Sequence, residues 1–280
     1  MDTLFILLQR LLPQHALSRM IGKLAAAERP RWLVSAVIKA FRSHYKVELS
    51  EAERPFPEAF ESFNAFFTRS LKDGARPLCA SGIASPADGA ISECGDIDDN
   101  RILQAKGRYY TLEALLAGDQ RRVDQFRGGS FATIYLSPRD YHRVHMPLDG
   151  QLQQSCYVPG DLYSVNGTTA ANVDQLFARN ERHVSYFDTP RGPMGMVLVG
   201  AMIVAGIETV WAGQVAPPAR QIHHFDHVHA PTPILLERGS EMGRFLLGST
   251  VILLFPPGGA AWNEALAPGV AVRMGEQLSA

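Results

Sequence analysis

The periodicity of apolar residues changes once along the chain, and this change limits the possible folds more than any other feature. Before about residue 72, apolar residues recur at three- and four-residue intervals, which is typical of amphipathic helices. From about residue 80, short apolar runs are separated by glycine and proline. The runs that predict strands are 131–136, 196–205, 207–211, 251–255 and 270–274. The sequence therefore predicts the α+β class, with a helical segment at residues 1–72 and a mainly antiparallel β domain at residues 73–280.

Three helices are expected in the helical segment. The first has an apolar stripe that is broken at Pro13 and resumes up to Leu24, and the second begins at Pro30. The third is expected to carry its aromatic face from Phe60 to Leu71. One short helix is also expected in the β domain, at residues 111–116.

The charge distribution differs between the helical segment and the whole chain. The 27 basic side chains nearly balance the 28 acidic ones, so the net charge of -1 gives no reason to expect a nucleic-acid partner. Residues 1–48, in contrast, hold eight basic and three acidic side chains, a local charge of plus five. Together with the apolar stripes, this excess favours an anionic membrane surface as a partner. The alternative is that the helices pack on the rest of the protein with their charges in water.

The first apolar run is too short to cross a bilayer. It is interrupted at Gln9 and Arg10, well before the roughly 20 apolar residues that a spanning helix needs. Asp2 stands where a secretory signal peptide would have a basic residue, so secretion is not expected. The three cysteines have neither zinc-site nor disulfide spacing, which favours a reducing compartment. We therefore expect a peripheral protein on the cytoplasmic face of the cell membrane.

An aspartate, a histidine and a serine lie in three separate segments that can carry chemistry. Asp88 lies in the segment 85–89, His145 lies between two prolines, and Ser249 follows a glycine. A serine hydroxyl becomes a strong nucleophile when an imidazole takes its proton and a carboxylate orients that imidazole. Each residue alone also has an ordinary explanation, as a turn aspartate, a hydrogen-bonded histidine and a tight turn between strands.

The pair Gly248–Ser249 permits an unusual reaction of the chain with itself. Glycine has no Cβ, so the serine oxygen can approach the carbonyl carbon of Gly248 from a direction that a side chain would block. This attack converts the peptide bond into an ester, and elimination of the ester leaves a dehydroalanine. Hydrolysis with loss of ammonia then produces a pyruvoyl group at the start of residues 249–280. A ketone conjugated to an amide is an electron sink, as pyridoxal phosphate is in other decarboxylases.

The chain resembles the bacterial membrane-associated phosphatidylserine decarboxylases over nearly its whole length. Four segments in the same order carry the resemblance, namely 85–89, 138–147, 187–213 and 245–250. The last contains the Leu-Gly-Ser-Thr sequence at which this family processes itself. The early segment 63–69, Phe-Asn-Ala-Phe-Phe-Thr-Arg, is also similar.

This resemblance assigns roles to individual residues. It implies a self-processing triad of Asp88, His145 and Ser249, with cleavage between Gly248 and Ser249. The other histidine of the Tyr-His-Arg-Val-His segment, His142, is then the candidate proton donor in decarboxylation.

The resemblance also implies an activity. The expected reaction converts phosphatidylserine to phosphatidylethanolamine and CO2 through a Schiff base with the pyruvoyl group made from Ser249, and no further cofactor is needed. The fragments 1–248 and 249–280 are expected to stay together as a heterodimer, because release of the apolar strand 251–255 would expose several side chains at roughly 1.5–3 kcal/mol each. Further dimerisation of this pair is left open.

Two other classes of function remain open on the residues alone. The first is a serine hydrolase that uses Asp88, His145 and Ser249 on an external ester, although the G-x-S-x-G pattern is missing. The second is a lipid-surface binding protein without chemistry. The histidine-rich run 223–229 also suggests zinc, but flanking prolines favour a loop over the helix that would align such ligands, so we expect no metal.

Overall fold

The computed structural model describes residues 9, 13–202, 206–216, 221–246 and 249–279, and the structural statements below concern these residues. The helices are α1 (Gln14–Ala26), α2 (Arg31–Tyr45), a short 3-10 helix (Pro57–Ala59), α3 (Phe63–Phe67), α4 (Leu112–Leu115), α5 (Gln120–Phe126), α6 (Gly167–Asn172) and α7 (Leu176–Arg179).

The strands lie almost entirely after residue 80. They are β1 (Ile83–Ala84), β2 (Gly89–Asp96), β3 (Arg101–Ala105), β4 (Arg108–Thr111), β5 (Ser130–Leu136), β6 (Arg143–His145), β7 (Gly150–Val158), β8 (Arg182–Thr189), β9 (Gly192–Gly200), β10 (Ile207–Thr209), β11 (Gly213–Ala216), β12 (His223–Asp226), β13 (Leu235–Leu236), β14 (Glu241–Phe245), β15 (Ser249–Phe255), β16 (Ala271–Val272) and β17 (Gln277–Ser279). The α+β prediction is confirmed, with helices concentrated at the start and antiparallel strands in the rest.

A nine-stranded antiparallel sheet, here called the main sheet, organises the β domain. Its order is β12-β7-β8-β9-β15-β5-β2-β16, and β13 pairs with β7 beside β12. Strand β15 lies in the middle, paired along its length with β5 and β9, and every one of its residues is buried. Because both faces of this strand are covered, its sequence is a continuous apolar run instead of an alternating one.

Different structures cover the two faces of the main sheet. On one face, Ile252 and Leu254 pack in a core with residues of α4 to α7 and the β3–β4 hairpin. On the other, Val251, Leu253 and Phe255 pack in a second core with residues of a four-stranded sheet of order β11-β10-β14-β6. We call this second sheet the covering sheet. Alternate residues of β15 thus face different cores, as the two-residue period of a strand requires.

The N-terminal helices have a separate aromatic core. It includes Ile38 of α2 and the phenylalanines of α3, and it lies apart from the two cores of the main sheet. On the outer side of α1 and α2, Leu24 is 67% exposed and Trp32 is 72% exposed. None of the described helices is long and apolar enough to span a membrane.

The third predicted helix is shorter than the sequence pattern indicated. The expected aromatic face from Phe60 to Leu71 is split, because Phe60 is extended and ends the 3-10 helix. Ser62 then caps α3, accepting a hydrogen bond from the Ala65 backbone nitrogen at 3.1 Å. Helix α2, in contrast, begins directly after Pro30 as predicted. The apolar stripe expected before Pro13 lies outside the described residues.

Candidate active site

Ser249 is the first residue of the central strand β15. Its neighbours across the main sheet are Leu136 of β5 and Gly200 of β9. By strand alternation its side chain is on the same face as Val251, towards the covering sheet. The side chain is fully buried, and its Oγ has no hydrogen-bond partner among the described residues. Gly248, the other half of the predicted cleavage site, lies outside the described residues.

His145 is the last residue of β6 and is held at both ring nitrogens. Its Nδ1 is 2.8 Å from the carbonyl oxygen of Gly239, and its Nε2 is 3.0 Å from the Tyr141 hydroxyl. A carbonyl can only accept, so Nδ1 carries the proton and Nε2 accepts from Tyr141. Burial raises the pKa of Tyr141 to about 12, which keeps that hydroxyl a donor. Burial also lowers the pKa of His145, so the imidazole is a neutral base.

His142 lies three residues earlier and is fully buried. Its ring stacks on Phe67 with 3.9 Å between ring centroids, and its Nε2 donates to the carbonyl of Ser137 at 3.1 Å. Burial, assisted by the nearby charge of Arg69, lowers the His142 pKa to about 3. Its Nδ1 has no partner among the described residues and is therefore available to accept a proton. The carbonyl of His142 accepts from the Phe245 nitrogen at 3.0 Å, which ties this loop to the strand that leads to Ser249.

Asp88 has a different partner from the one expected. Its carboxylate accepts hydrogen bonds from Arg76 at 2.8 Å (Nε to Oδ1) and 2.5 Å (Nη2 to Oδ2), and from the Met274 nitrogen at 2.9 Å. The same contacts raise the pKa of Arg76. The structure makes no hydrogen bond between Asp88 and His145. Their segments do meet through the backbone, since the nitrogen of His145 donates to the carbonyl of Pro86 at 2.8 Å.

Three residues that hold this site were not singled out by the sequence. Tyr141 and Gly239 fix the His145 ring, and Arg76 holds Asp88. Tyr141 lies in the segment 138–147, in which the sequence indicated only the two histidines as functional residues. Gly239 and Arg76 gave no local signal, because their contacts join segments far apart in the chain.

The histidine-rich run forms an edge strand and a following loop. Strand β12 pairs with β7 at the margin of the main sheet, and His227 shares a hydrogen bond of 3.0 Å with the Ser155 hydroxyl. Within the described part of the chain, no group of three or more histidine, cysteine, aspartate or glutamate side chains is arranged to hold a metal ion.

Ser249, His142 and His145 supply a hydroxyl nucleophile and two neutral imidazoles, which are residue types that covalent catalysis uses. Comparison with known proteins gives its class, because a family model described as phosphatidylserine decarboxylase matches residues 63–280. A second model, described as PSD, matches residues 4–46. The chain is therefore an enzyme of a decarboxylase family.

Curated relatives agree over nearly the full length. The phosphatidylserine decarboxylase proenzyme of Pseudomonas aeruginosa is 57% identical over 281 residues, which cover 99% of this chain and 97% of the relative. The protein of the same name from Pseudomonas putida is 57% identical over 280 residues with the same coverage, and that from Hahella chejuensis is 54% identical, covering 99% of this chain and 93% of the relative. This chain belongs to the phosphatidylserine decarboxylase family.

Proposed function

We propose that the chain decarboxylates phosphatidylserine to phosphatidylethanolamine and CO2, using a pyruvoyl group made from its own Ser249. The observation that carries this proposal is the buried Oγ of Ser249, which has no partner among the described residues at the start of a central strand. Because Oγ of Ser249 makes no hydrogen bond with the described residues, its departure during pyruvoyl formation breaks no such hydrogen bond. The neighbouring Val251 and Leu253 core suits the methyl group that a pyruvoyl has at this position. The residues present therefore fit the group.

The first reaction is cleavage of the chain before Ser249. Oγ of Ser249 attacks the carbonyl carbon of residue 248, and Nε2 of the neutral His145 accepts the hydroxyl proton. The C–N bond breaks as its nitrogen takes up that proton, and an ester remains. A base then removes the Cα proton of residue 249 while its Cβ–O bond breaks, which releases a carboxylate at residue 248 and leaves a dehydroalanine. This group isomerises to an imine, and water hydrolyses the imine to the ketone as ammonia leaves. The relatives' name, proenzyme, supports such a processing step.

The position of His145 supports its role as the base. Strand β6 lies in the covering sheet, which packs on the face of the main sheet where Ser249 points. Tyr141 occupies Nε2 in the structure, so its hydroxyl must turn away before the imidazole accepts a proton from serine. Gly239 holds Nδ1 throughout and keeps the ring in the tautomer that the reaction needs.

Decarboxylation requires an electron acceptor and a donor of one proton. The pyruvoyl ketone supplies an electron sink for the pair that the departing carboxylate leaves behind. His142 is the candidate proton donor, because Nδ1 can take a proton from the substrate ammonium and return it to the carbon that loses CO2. Because the pKa of His142 is about 3, its Nδ1 is unprotonated in the free enzyme, so the proton that it donates has to come from the substrate.

The N-terminal helices are proposed to hold the enzyme on the cytoplasmic face of an anionic membrane. Leu24, Leu33 and Val37 line one apolar groove between α1 and α2, and Trp32 on α2 is also exposed, so these helices present apolar side chains that water would hydrate unfavourably. The local charge of plus five on residues 1–48 adds electrostatic attraction to anionic lipid. This combination favours surface binding over simple packing of the helices.

Intact mass under denaturing conditions tests the proposal. The parent chain is expected to give the fragments 1–248 and 249–280, the smaller one lighter by ammonia than a fragment with an N-terminal serine. Ser249→Ala is expected to give one uncut chain that releases no CO2, while Ser43→Ala, at an exposed site on α2, behaves as the parent. A single chain from the parent, or normal cutting of Ser249→Ala, would exclude self-processing. Ester hydrolysis by an uncut parent would instead favour the serine hydrolase.

A further inference from the structure

A buried carboxylate lies close to Ser249 and is not used by the mechanism above. Glu181 is only 3% exposed, and its Oε2 accepts a hydrogen bond from the Tyr157 hydroxyl at 2.7 Å. Burial raises the pKa of Glu181, since removal from water penalises its ionised form. No lysine or arginine of the described chain forms an ion pair with it. Apart from the nearby His15, no basic side chain of the described residues acts on this buried carboxylate, so it favours the binding of a positively charged group.

Strand pairing places this carboxylate on the face of the main sheet where Ser249 points. The Gly200 nitrogen donates to the carbonyl of Glu181 at 2.8 Å, and Gly200 is paired with Ser249 on its other side. A Cβ built on Gly200 would lie 3.9 Å from Oε1 of Glu181. Cβ positions of paired residues are roughly 5 Å apart, so Oε1 lies within about 9 Å of the Ser249 Cβ. The same Cβ would lie 3.3 Å from the carbonyl oxygen of Glu181 and 3.7 Å from Leu162, so the absence of a side chain at Gly200 lets both residues lie close to this strand.

Glu181 also lines a cleft between helix α1 and the β domain. The cleft has a volume of about 290 Å³, near the lower end of small-molecule sites. Leu246, three residues before Ser249, forms part of its wall. Gln14 of α1 contacts the β domain, since its Oε1 accepts from the Leu162 nitrogen at 2.7 Å, and Oε1 of Gln9, which precedes α1, accepts from the Ser164 nitrogen at 2.8 Å.

Two basic side chains also line the cleft. Arg19 and Lys23 are four residues apart on α1, so they are on one side of the helix, and both line the cleft. Neither has a carboxylate partner within ion-pair distance in the described part of the chain. Leu24 follows Lys23 directly and is 67% exposed on the apolar surface that we propose to meet the membrane. The cleft thus brings two basic side chains together with the carboxylate of Glu181, beside the helix surface that we propose to meet the membrane.

We infer that this cleft binds the headgroup of an aminophospholipid, with Arg19 and Lys23 contacting the phosphodiester and Glu181 contacting the ammonium. The two signs of charge in the cleft match a headgroup that has both a phosphodiester and an ammonium, on a lipid whose acyl chains stay in the membrane. Tyr157 holds the Glu181 carboxylate in place and is a positioning residue. This inference rests on the proposed function, because it takes the reacting amine to end beside Ser249.

Binding to the uncut protein tests the inference without dependence on turnover. In the full-length Ser249→Ala chain, titration calorimetry measures the binding of glycerophosphoethanolamine and of ethanolamine. Glu181→Gln keeps an acceptor for Tyr157 and removes the charge, so both probes should bind about ten- to a hundredfold more weakly. Lys23→Gln should weaken glycerophosphoethanolamine alone. Lys39→Gln, the same change at an exposed site on α2, should weaken neither.

The outcomes separate this inference from the proposed function. Unchanged binding in Glu181→Gln, or equal effects of Lys23→Gln and Lys39→Gln, would overturn the headgroup site. In the chain that retains Ser249, Glu181→Gln is expected to be cut normally, with KM for phosphatidylserine raised. An uncut Glu181→Gln chain beside a cut parent would assign Glu181 to processing and also overturn the inference. An uncut parent would instead refute the proposed function.

Discussion

Two fully buried histidines make the folded chain sensitive to acid, and His183 offers the cleaner test. It lies on β8, and neither ring nitrogen has a hydrogen-bond partner among the described residues. Burial, assisted by the nearby His227, lowers the His183 pKa to about 3. His142 has a pKa of about 3 for the same main reason. Both imidazoles are therefore neutral in the folded chain at pH values where an unfolded chain would protonate them.

The direction of the effect follows from proton uptake. Between the unfolded pKa of about 6.5 and the folded pKa, the unfolded state binds a proton that the folded state does not, so the free energy of unfolding falls as the pH falls. The stabilisation is complete above about pH 6.5 and is lost progressively towards pH 3. At about pH 5, each of the two histidines accounts for a loss of about 2 kcal/mol. The raised pKa values of Glu181 and Asp140 act in the opposite direction, so a comparison of variants is needed.

Urea unfolding of the uncut Ser249→Ala chain provides the assay. The free energy of unfolding is measured at about pH 7.5 and about pH 5, with and without His183→Leu. The chain with His183 should lose about 2 kcal/mol more than the leucine variant between these pH values. Ser185→Ala changes a buried polar residue on the same strand that does not titrate, so it should keep the full pH dependence. Equal losses with and without His183 would refute the argument from burial.

The remaining predictions concern processing and membrane binding. His145→Ala should leave the chain uncut. His142→Ala should still be cut to give fragment 249–280, but its rate of CO2 release should fall by about 10²- to 10⁴-fold. An uncut His142→Ala chain, or a cut and fully active His145→Ala enzyme, would contradict this division of roles. Deletion of residues 1–24 removes three basic side chains, each of which contributes about 1 kcal/mol to the free energy of binding at an anionic surface. Vesicle sedimentation should therefore detect weaker binding. Binding by the intact chain should fall with added salt, and salt-independent binding that survives the deletion would favour packing of the helices instead.

Local patterns in the sequence predicted the fold class and some of its elements. The change from helical to short apolar runs predicted that helices give way to strands, and the run 251–255 predicted the strand at the centre of the main sheet, whereas β7 and β8 were not predicted. The third helix was overestimated, because periodicity in Phe60 to Leu71 does not reveal that Phe60 is extended and that Ser62 begins a new helix. Capping geometry, which depends on a few backbone atoms, decided the boundary there.

The contacts within the candidate site were harder to predict. Sequence spacing gave no reason to pair Asp88 with Arg76, and the contact of His145 with Gly239 joins residues 94 positions apart. Glu181 and Ser249 are close in space because Gly200 is paired with Ser249 on one side and hydrogen-bonded to Glu181 on the other. Such relations depend on register, which is set by the whole sheet and not by any local run.

The proposed cleavage point suits a stable pair of fragments, because several elements join residues 249–280 to residues 1–248. Strand β15 pairs on both sides, β16 pairs with β2, and β17 pairs with β1. Asp88 adds a further link, since it accepts from the Met274 nitrogen of the smaller fragment while Arg76 holds it in the larger one. Asp88→Ala would therefore remove this link between the two fragments together with any role of Asp88 in processing. Asp88→Asn keeps an acceptor for Met274 and removes the charge, so loss of cutting in that variant is the result that would support Asp88 as a member of the processing triad.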